Sequence, residues 1–493
     1  MNNTDQTPGA PRLRRELSLW EAIGISLALM APSMAANINP QGSASLVGRA
    51  VPLTFILATV GVLLVAYTFV RLTQRFHHSG SVYGFVGATL GPRTGIVAGW
   101  ALTGTYVFYG VVTAMAGGRF ASDFLNATGV WKNPPTWSGF LLGGLGMVLV
   151  WWIAISPARG GTRLLLVVEA VTVTLILIVT VVVFAKLATH SAPNHLALDW
   201  SVFSVPSGTP ASVLFLGVVF GFLSFAGFEA AATLGEEAKH PRRDIPRAIL
   251  GVAIFGGIYF TVVTAVEVMG FGTSASDMKA YVSSSSLMGD LSRTYLSNWV
   301  GEIITLGAMI SAFGCALACM VGASRLVFAL GRDGISLKAF DHVSAKRGTP
   351  TRATAAVVLA VYAVTAFTWF ILRSDPFTLF VQSGTIGTLI LLVVYVLATI
   401  GMTRLVFFSG QKIAGSWQVA IPIAALLVLG YTLFRNVWPL PSGSAWWGPA
   451  VAITWIAVGI GWIVARPGAT RQAGERLTRA EGLAPLEAAP VTN

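Results

Sequence analysis

The residues of this chain that could carry chemistry sit where they are costly to keep. Two acids, Glu169 and Glu229, lie inside otherwise apolar stretches. Burying an ionised carboxylate in hydrocarbon is unfavourable enough to make each one a functional candidate. Glu229 belongs to FLSFAGFEAAATLGEEAKHPRRDIPRAI (222–249), two residues after Gly227 and shortly before the basic run Lys239, Arg242 and Arg243. Cys315 and Cys319 are four residues apart, so they share one helix face. With no histidine beside them, they read as small packing residues rather than as a disulfide or a zinc pair. The six histidines (77, 78, 190, 195, 240 and 342) fall between the apolar stretches, and neither HExxH nor a P-loop occurs. A metalloenzyme and an ATP-driven pump are thereby set aside, and no repeated pore loop marks a channel. The chemistry that remains is the holding of charge or a proton at depth.

The elements that must position these groups follow from composition. Of 493 residues, 54% are hydrophobic and 11% charged, with mean hydropathy +0.72. Soluble domains carry about 25% charged residues, so the chain reads as an all-α polytopic membrane protein. Apolar spans long enough to cross a bilayer run over 19–38, 50–73, 95–122, 137–155, 164–187 and 211–235. Six more run over 247–270, 299–328, 353–372, 376–402, 417–435 and 446–465. Twelve spans put both termini on one side. The two tails and the even-numbered loops, counted with the span ends that adjoin them, hold 24 of the 32 Lys and Arg residues. Cations mark the cytoplasmic side, so both termini are expected to be cytoplasmic and the net charge of +12 is topology rather than a nucleic-acid patch. The first span is expected to act as an uncleaved signal anchor. The segments 1–17 and 466–493 read as polar cytoplasmic tails, the latter disordered. Residues 272–298 read as a solvated external connector, with a short lid helix as the alternative. Arginine outnumbers lysine 25 to 7, a composition that points to a GC-rich bacterium and hence to the cell (inner) membrane.

Two spans are interrupted. Span 1 reads LALMAPSMAAN (27–37) around Pro32, which removes a backbone donor and blocks the preceding turn. Span 6 carries Gly217, Gly221 and Gly227. Irregular backbone in a membrane survives only inside protein or along a watery cavity. Interruptions in the first and sixth spans are what a five-plus-five inverted repeat gives, with a binding site at the breaks. Simple kinks are the plainer alternative.

At this point the residues carry a resemblance. FAGFEAAATLGEEAKHPRRDIPRAI resembles the sixth-helix signature of the amino acid–polyamine–organocation (APC) superfamily permeases. RFHHSGSVYGFV (75–86) is similar to their link after helix 2, with His78 where proline is usual. SRLVFALGRDGISLKAFDHVSAKRGTP (324–350) is similar to their stretch after helix 8. The resemblance implies the LeuT-like fold shared with sodium-coupled neurotransmitter transporters: repeats over 18–187 and 209–405, with two added helices over 417–465. It implies a secondary transporter, not an enzyme, that moves amino acids by alternating access.

Carried onto this chain, the resemblance places a substrate carboxylate on the amides of Ser33, Met34 and Ala35. It places the ammonium on the carbonyls of Leu29, Leu223 and Ala226. The chain departs from the family's small Gly-Ser/Thr-Gly cluster, having Ala31-Pro32-Ser33 instead. Phe225 and Phe228 flank the second break, and one of them is expected to gate the site. Helix 8 offers Ser311, Cys315 and Cys319, helix 3 offers Tyr106 and Tyr109, and helix 10 offers Gln382, Ser383 and Thr385. Small and aromatic linings suit a neutral or apolar amino acid, with a polyamine or cationic amino acid as the alternative.

No cofactor is implied beyond a coupling ion, proton or sodium. Proton-coupled relatives carry a lysine in helix 5 where this chain has Thr172. A sodium ion near Thr172 and Ser311, a proton on Glu229 and uncoupled exchange stay open, as do monomer and homodimer. Counted from residue 211, Glu229 lies about 27 Å along its helix, in the cytoplasmic half. Its neutral form suits a dry cavity and its ionised form a wet one; capping amides at the breaks is the plainer role. Glu169 reads as a carboxylate that snorkels or pairs with Arg163.

Overall fold

The computed structural model describes residues 18–76, 82–156, 161–234, 238–332, 334–344, 349–409, 414–441 and 443–468. Parts of all three resemblance motifs (77–81, 235–237, 333 and 345–348), the tail 1–17, most of 466–493 and the Arg163 side chain lie outside the described residues. Sixteen α-helices follow one another, and no strand occurs among the described residues: α1 (Leu19–Met30), α2 (Pro32–Val47), α3 (Val51–Thr73), α4 (Val82–Leu90), α5 (Pro92–Ala127), α6 (Ser138–Ala154), α7 (Gly161–Ala188) and α8 (Leu214–Phe225), then α9 (Pro241–Phe271), α10 (Ala275–Ser283), α11 (Leu287–Tyr295), α12 (Asn298–Arg332), α13 (Thr351–Ala366), α14 (Pro376–Phe407), α15 (Ala420–Val437) and α16 (Trp447–Ala465).

Among the described residues, ten stretches are long and apolar enough to cross a membrane. The first, Leu19–Thr73, takes in both expected spans 1 and 2, because α2 runs through a short 3-10 turn into α3. α6 is a shorter apolar helix at the place of expected span 4. The chain is a multi-pass membrane protein. Many large apolar side chains outside the core stay exposed, Val181 and Leu164 among them at 66% each. That pattern is expected where the solvent is lipid rather than water.

The core is built where interrupted and long helices meet. α5 packs along α12 and α14, α3 along α9, and α2 along α8. The α2–α8 contact is stitched by polar side chains. Asn39 Nδ2 donates to Ser224 Oγ at 2.8 Å, and Ser43 Oγ donates to the Gly217 carbonyl at 2.8 Å. In an interior without water such bonds satisfy groups that would otherwise be orphaned, so they fix register as well as contact.

The connector between α9 and α12 corrects the sequence reading. It forms two helices, α10 and α11, rather than a solvated loop. Tyr281, Leu287, Met288 and Leu291 supply the reason, since all four side chains are buried. Asn37 of α2 anchors this lid: its Oδ1 accepts from Ser286 Oγ (2.8 Å) and from the Met288 amide (3.0 Å). Gln41 Nε2 donates to the carbonyls of Tyr281 (3.0 Å) and Ser284 (2.6 Å). The lid is also held by ionic contacts. Arg293 pairs with Asp123 of α5 (2.8 Å) and with Asp290 (2.7 Å). Burial pushes the Asp290 carboxyl up from its ordinary range, and its bond from Ser284 and its pairing with Arg293 offset part of that cost.

Candidate functional site

Both interruptions are present. Ala31 adopts the left-handed conformation (φ 47°, ψ 59°) between α1 and α2, with Pro32 as the first residue of α2. Proline disfavours the right-handed helical region for the residue before it, which is why the turn falls on Ala31. α8 ends at Phe225; Ala226 is extended (ψ 125°), Gly227 takes φ 101°, and a 3-10 segment, Ala230–Leu234, follows. A left-handed angle of that size is open to glycine and strained for other residues.

The two breaks touch. A Cβ on Gly227 would lie 2.6 Å from Leu29 Cγ, so glycine is required there for close approach as well as for its dihedral angle. The Ala231 amide donates to Ser26 Oγ at 3.0 Å, tying the second half of span 6 back to α1.

A tight cavity lies between the breaks, with room for only about one water molecule. Of the sequence-expected residues, Leu29, Met34, Leu223 and Ala226 line it from the broken helices, and Glu229 follows the second break into it. Tyr106 lines it from α5, and Cys315 and Cys319 line it from α12. The thiol of Cys315 donates to the Leu29 carbonyl at 3.1 Å. Tyr109 lines the cavity as well, its hydroxyl 3.0 Å from Thr388 Oγ1.

Other expected residues are placed elsewhere. Ser33 and Ala35 are buried behind the lining. Phe225 packs edge-on against Phe260 (5.4 Å between ring centres). Phe228 packs against Phe69 (5.9 Å) and Tyr395 (6.0 Å). Both phenylalanines are core residues in this state, and the aromatic walls of the cavity are Tyr106 and Tyr109. Of the helix 10 candidates, Thr385 bonds its own helix through the Val381 carbonyl, and none of Gln382, Ser383 and Thr385 lines the cavity.

Glu229 is 8% exposed, and its Oε2 makes no hydrogen bond among the described residues, although the Tyr395 hydroxyl lies beside it. It is the one acid in the cavity lining among the described residues. Glu169 departs from its expected place. Its side chain is buried rather than snorkelling, and it crosses from α7 to the start of α2, where its Oε1 accepts the Ser33 amide at 2.8 Å. Ser311 lies next to it and accepts weakly from the Met34 amide (3.4 Å). The Ala35 amide bonds the Ala31 carbonyl at 2.9 Å. All three amides expected to meet a carboxylate are thus bonded by the protein itself. Thr172 is buried and commits its hydroxyl to the Val168 carbonyl (2.8 Å).

Sequence reasoning missed Glu169 as a partner of α2, because a contact over 136 positions leaves no local signal. It also missed much of the α5 face. Leu102, Thr105, Val112 and Thr113 all line the cavity beside the expected Tyr106 and Tyr109. Their spacing follows the helical period, and that signal was available in the sequence.

The sequence profile described as "Amino acid permease" matches residues 17–462. The chain is 25% identical over 74% of its length, and 76% of the other's, to the branched-chain amino acid permease BcaP of Lactococcus lactis. It is 26% identical to the human cationic amino acid transporter 4, over 76% of this chain and 58% of that one. It is 25% identical to the low-affinity putrescine importer PlaP of Escherichia coli K12, over 70% and 73%. Among solved structures it is similar to a mutant form of the manganese transporter of Eremococcus coleocola, with a TM-score of 0.54 and 13% identity over 94% of this chain and 98% of that one. That last likeness concerns the fold alone.

Proposed function

Because the chain belongs to the amino acid permease family, we propose that it is a secondary active transporter that carries neutral or apolar amino acids across the cell membrane by alternating access. The observation that carries this reading is the meeting of the two breaks at Leu29 and Gly227 beside a narrow, mostly apolar cavity. A broken helix leaves carbonyls at the end of its first half and amides at the start of its second. Leu29 and Leu223 line the cavity, and the carbonyl of each has a second lone pair beyond the bond it already accepts. They suit an ammonium, while the leucine, methionine and tyrosine lining suits an apolar side chain. The proposal includes twelve spans, a five-plus-five inverted repeat and cytoplasmic termini, supported by the paired breaks and by the 24 basic residues on one side.

A second reading, a carrier of cationic amino acids or polyamines, is favoured by one observation. The amides of α2 are already bonded, and the cavity holds an acid whose Oε2 has no hydrogen-bond partner among the described residues. A site so arranged attends to the amine more than to the carboxylate. For coupling, Glu229 is the group a proton would use, and oxygens at Glu169 and Ser311 are the donors a sodium ion would use.

The test is uptake of labelled leucine and labelled putrescine into liposomes holding the purified protein, with sodium and proton gradients imposed separately. Saturable leucine uptake driven by one of them supports the first reading. Uptake of putrescine alone supports the second, and a linear, non-saturating flux contradicts both.

A further inference from the structure

The chain has only two cysteines, and the fold brings both to one place. Cys315 and Cys319 are free thiols on one face of α12, and both line the cavity. Residues four apart on a helix have Cβ atoms about 5–6 Å apart. A disulfide needs roughly 3.5–4.5 Å between them, so this pair does not close on itself while α12 stays helical. One bridging atom bonded to both sulfurs spans the gap. The sulfurs are soft and polarisable, and their surroundings supply apolar and aromatic walls from Tyr106, Leu223 and Ala226, with no competing amine among the described lining residues.

We propose that Cys315 and Cys319 form a dithiol site, inside the transport cavity, that takes a trivalent organoarsenical and blocks transport when it does. In the step, two As–S bonds form and the As=O bond breaks. The oxide oxygen leaves as water with the two thiol protons, and arsenic stays trivalent, so no oxidant or reductant is consumed. Because the thiols are buried, reaction waits for the cavity to open, and a bound substrate competes for the same space. The blocking half of the proposal rests on reading this cavity as the transport path; the dithiol half does not.

Phenylarsine oxide is the probe, applied to full-length protein in liposomes. The expected result is one phenylarsenic adduct per chain by intact mass, retained through a monothiol wash and removed by 2,3-dimercaptopropanol. Uptake should fall to background with the adduct and return with its removal, and leucine should slow the labelling. Cys315→Ser and Cys319→Ser, each left with one thiol, should lose the adduct in the monothiol wash. That mass readout holds even where a variant transports poorly. No adduct on the wild-type chain, or an adduct equally retained by either serine variant, overturns the dithiol site. An adduct retained on the wild type with uptake unchanged keeps the dithiol site and overturns the cavity as the transport path.

Discussion

Glu169 Oε1 accepts the amide hydrogen of Ser33 at 2.8 Å, so the first turn of α2 is held by a carboxylate that the chain supplies from α7. A helix N-terminus favours negative charge and presents unpaired amides. In transporters with broken helices that end commonly faces an anionic group of the substrate. Here a protein side chain bonds one of those amides.

Removing the acceptor should therefore leave a buried amide unpaired. Glu169→Ala is expected to cost about 1–3 kcal/mol, read as a lower unfolding temperature of the purified protein in detergent. Glu169→Gln keeps an oxygen acceptor and should lose clearly less. Equal losses in the two variants would show that the hydrogen bond is not what the side chain contributes.

The Gly227–Leu29 approach gives a sharper steric test. Gly227→Ala must hold φ near 101° and set a Cβ 2.6 Å from Leu29 Cγ. Backbone strain of this kind costs about 1–3 kcal/mol, and the clash adds to it, so uptake should be lost while the protein still reaches the membrane. Gly208→Ala is the control, because it too has positive φ (83°) but meets nothing within 4 Å. It should retain uptake. Comparable loss in both would mean that the dihedral angle, not the contact between the breaks, is limiting.

Cavity size makes a third prediction. Overfilling a packed site costs roughly 1–3 kcal/mol, so Ala226→Phe or Cys319→Phe should raise KM for leucine by about tenfold or more. Alanine or glycine uptake should suffer less. Unchanged kinetics for every substrate would remove those positions from the lining.

What could be read from the sequence was what is periodic or local. Pro32 and Gly227 announced both breaks, because proline and glycine change the backbone wherever they stand. Met34, Ala226 and Cys319 followed from the resemblance, which implies a site lined by the breaks and by helix 8. What could not be read was which way a side chain turns once helices pack. Phe225 and Phe228 flank the break as expected, yet their rings join Phe260, Phe69 and Tyr395 in the core. Glu169 could not be paired with Ser33, since nothing near residue 169 encodes α2. The lid helices were obscured by the SSSS run at 283–286, whose polar look hid the apolar anchors Tyr281, Leu287 and Met288.

Glu229 should link transport to pH. An ionised carboxylate in a dry cavity is costly, so its neutral form belongs with the closed state and its charged form with a water-filled one. Glu229→Gln keeps the size and removes the titration. Its uptake should lose the pH dependence seen in the wild type, with exchange affected less than net uptake. An unchanged pH profile of both activities would confine Glu229 to a structural role.

The central claim, that the substrate's amine is held where the two breaks meet, is tested most directly by competition. Labelled leucine uptake into liposomes is measured against unlabelled leucine, N-acetyl-leucine and isoamylamine, the decarboxylated analogue. The account predicts that leucine competes fully and N-acetyl-leucine hardly at all, because acetylation removes the ammonium that the Leu29 and Leu223 carbonyls would accept. Isoamylamine competing weakly supports the amino acid reading, and competing as well as leucine supports the amine reading that Glu169 and Glu229 favour. N-acetyl-leucine competing as well as leucine would contradict the claim.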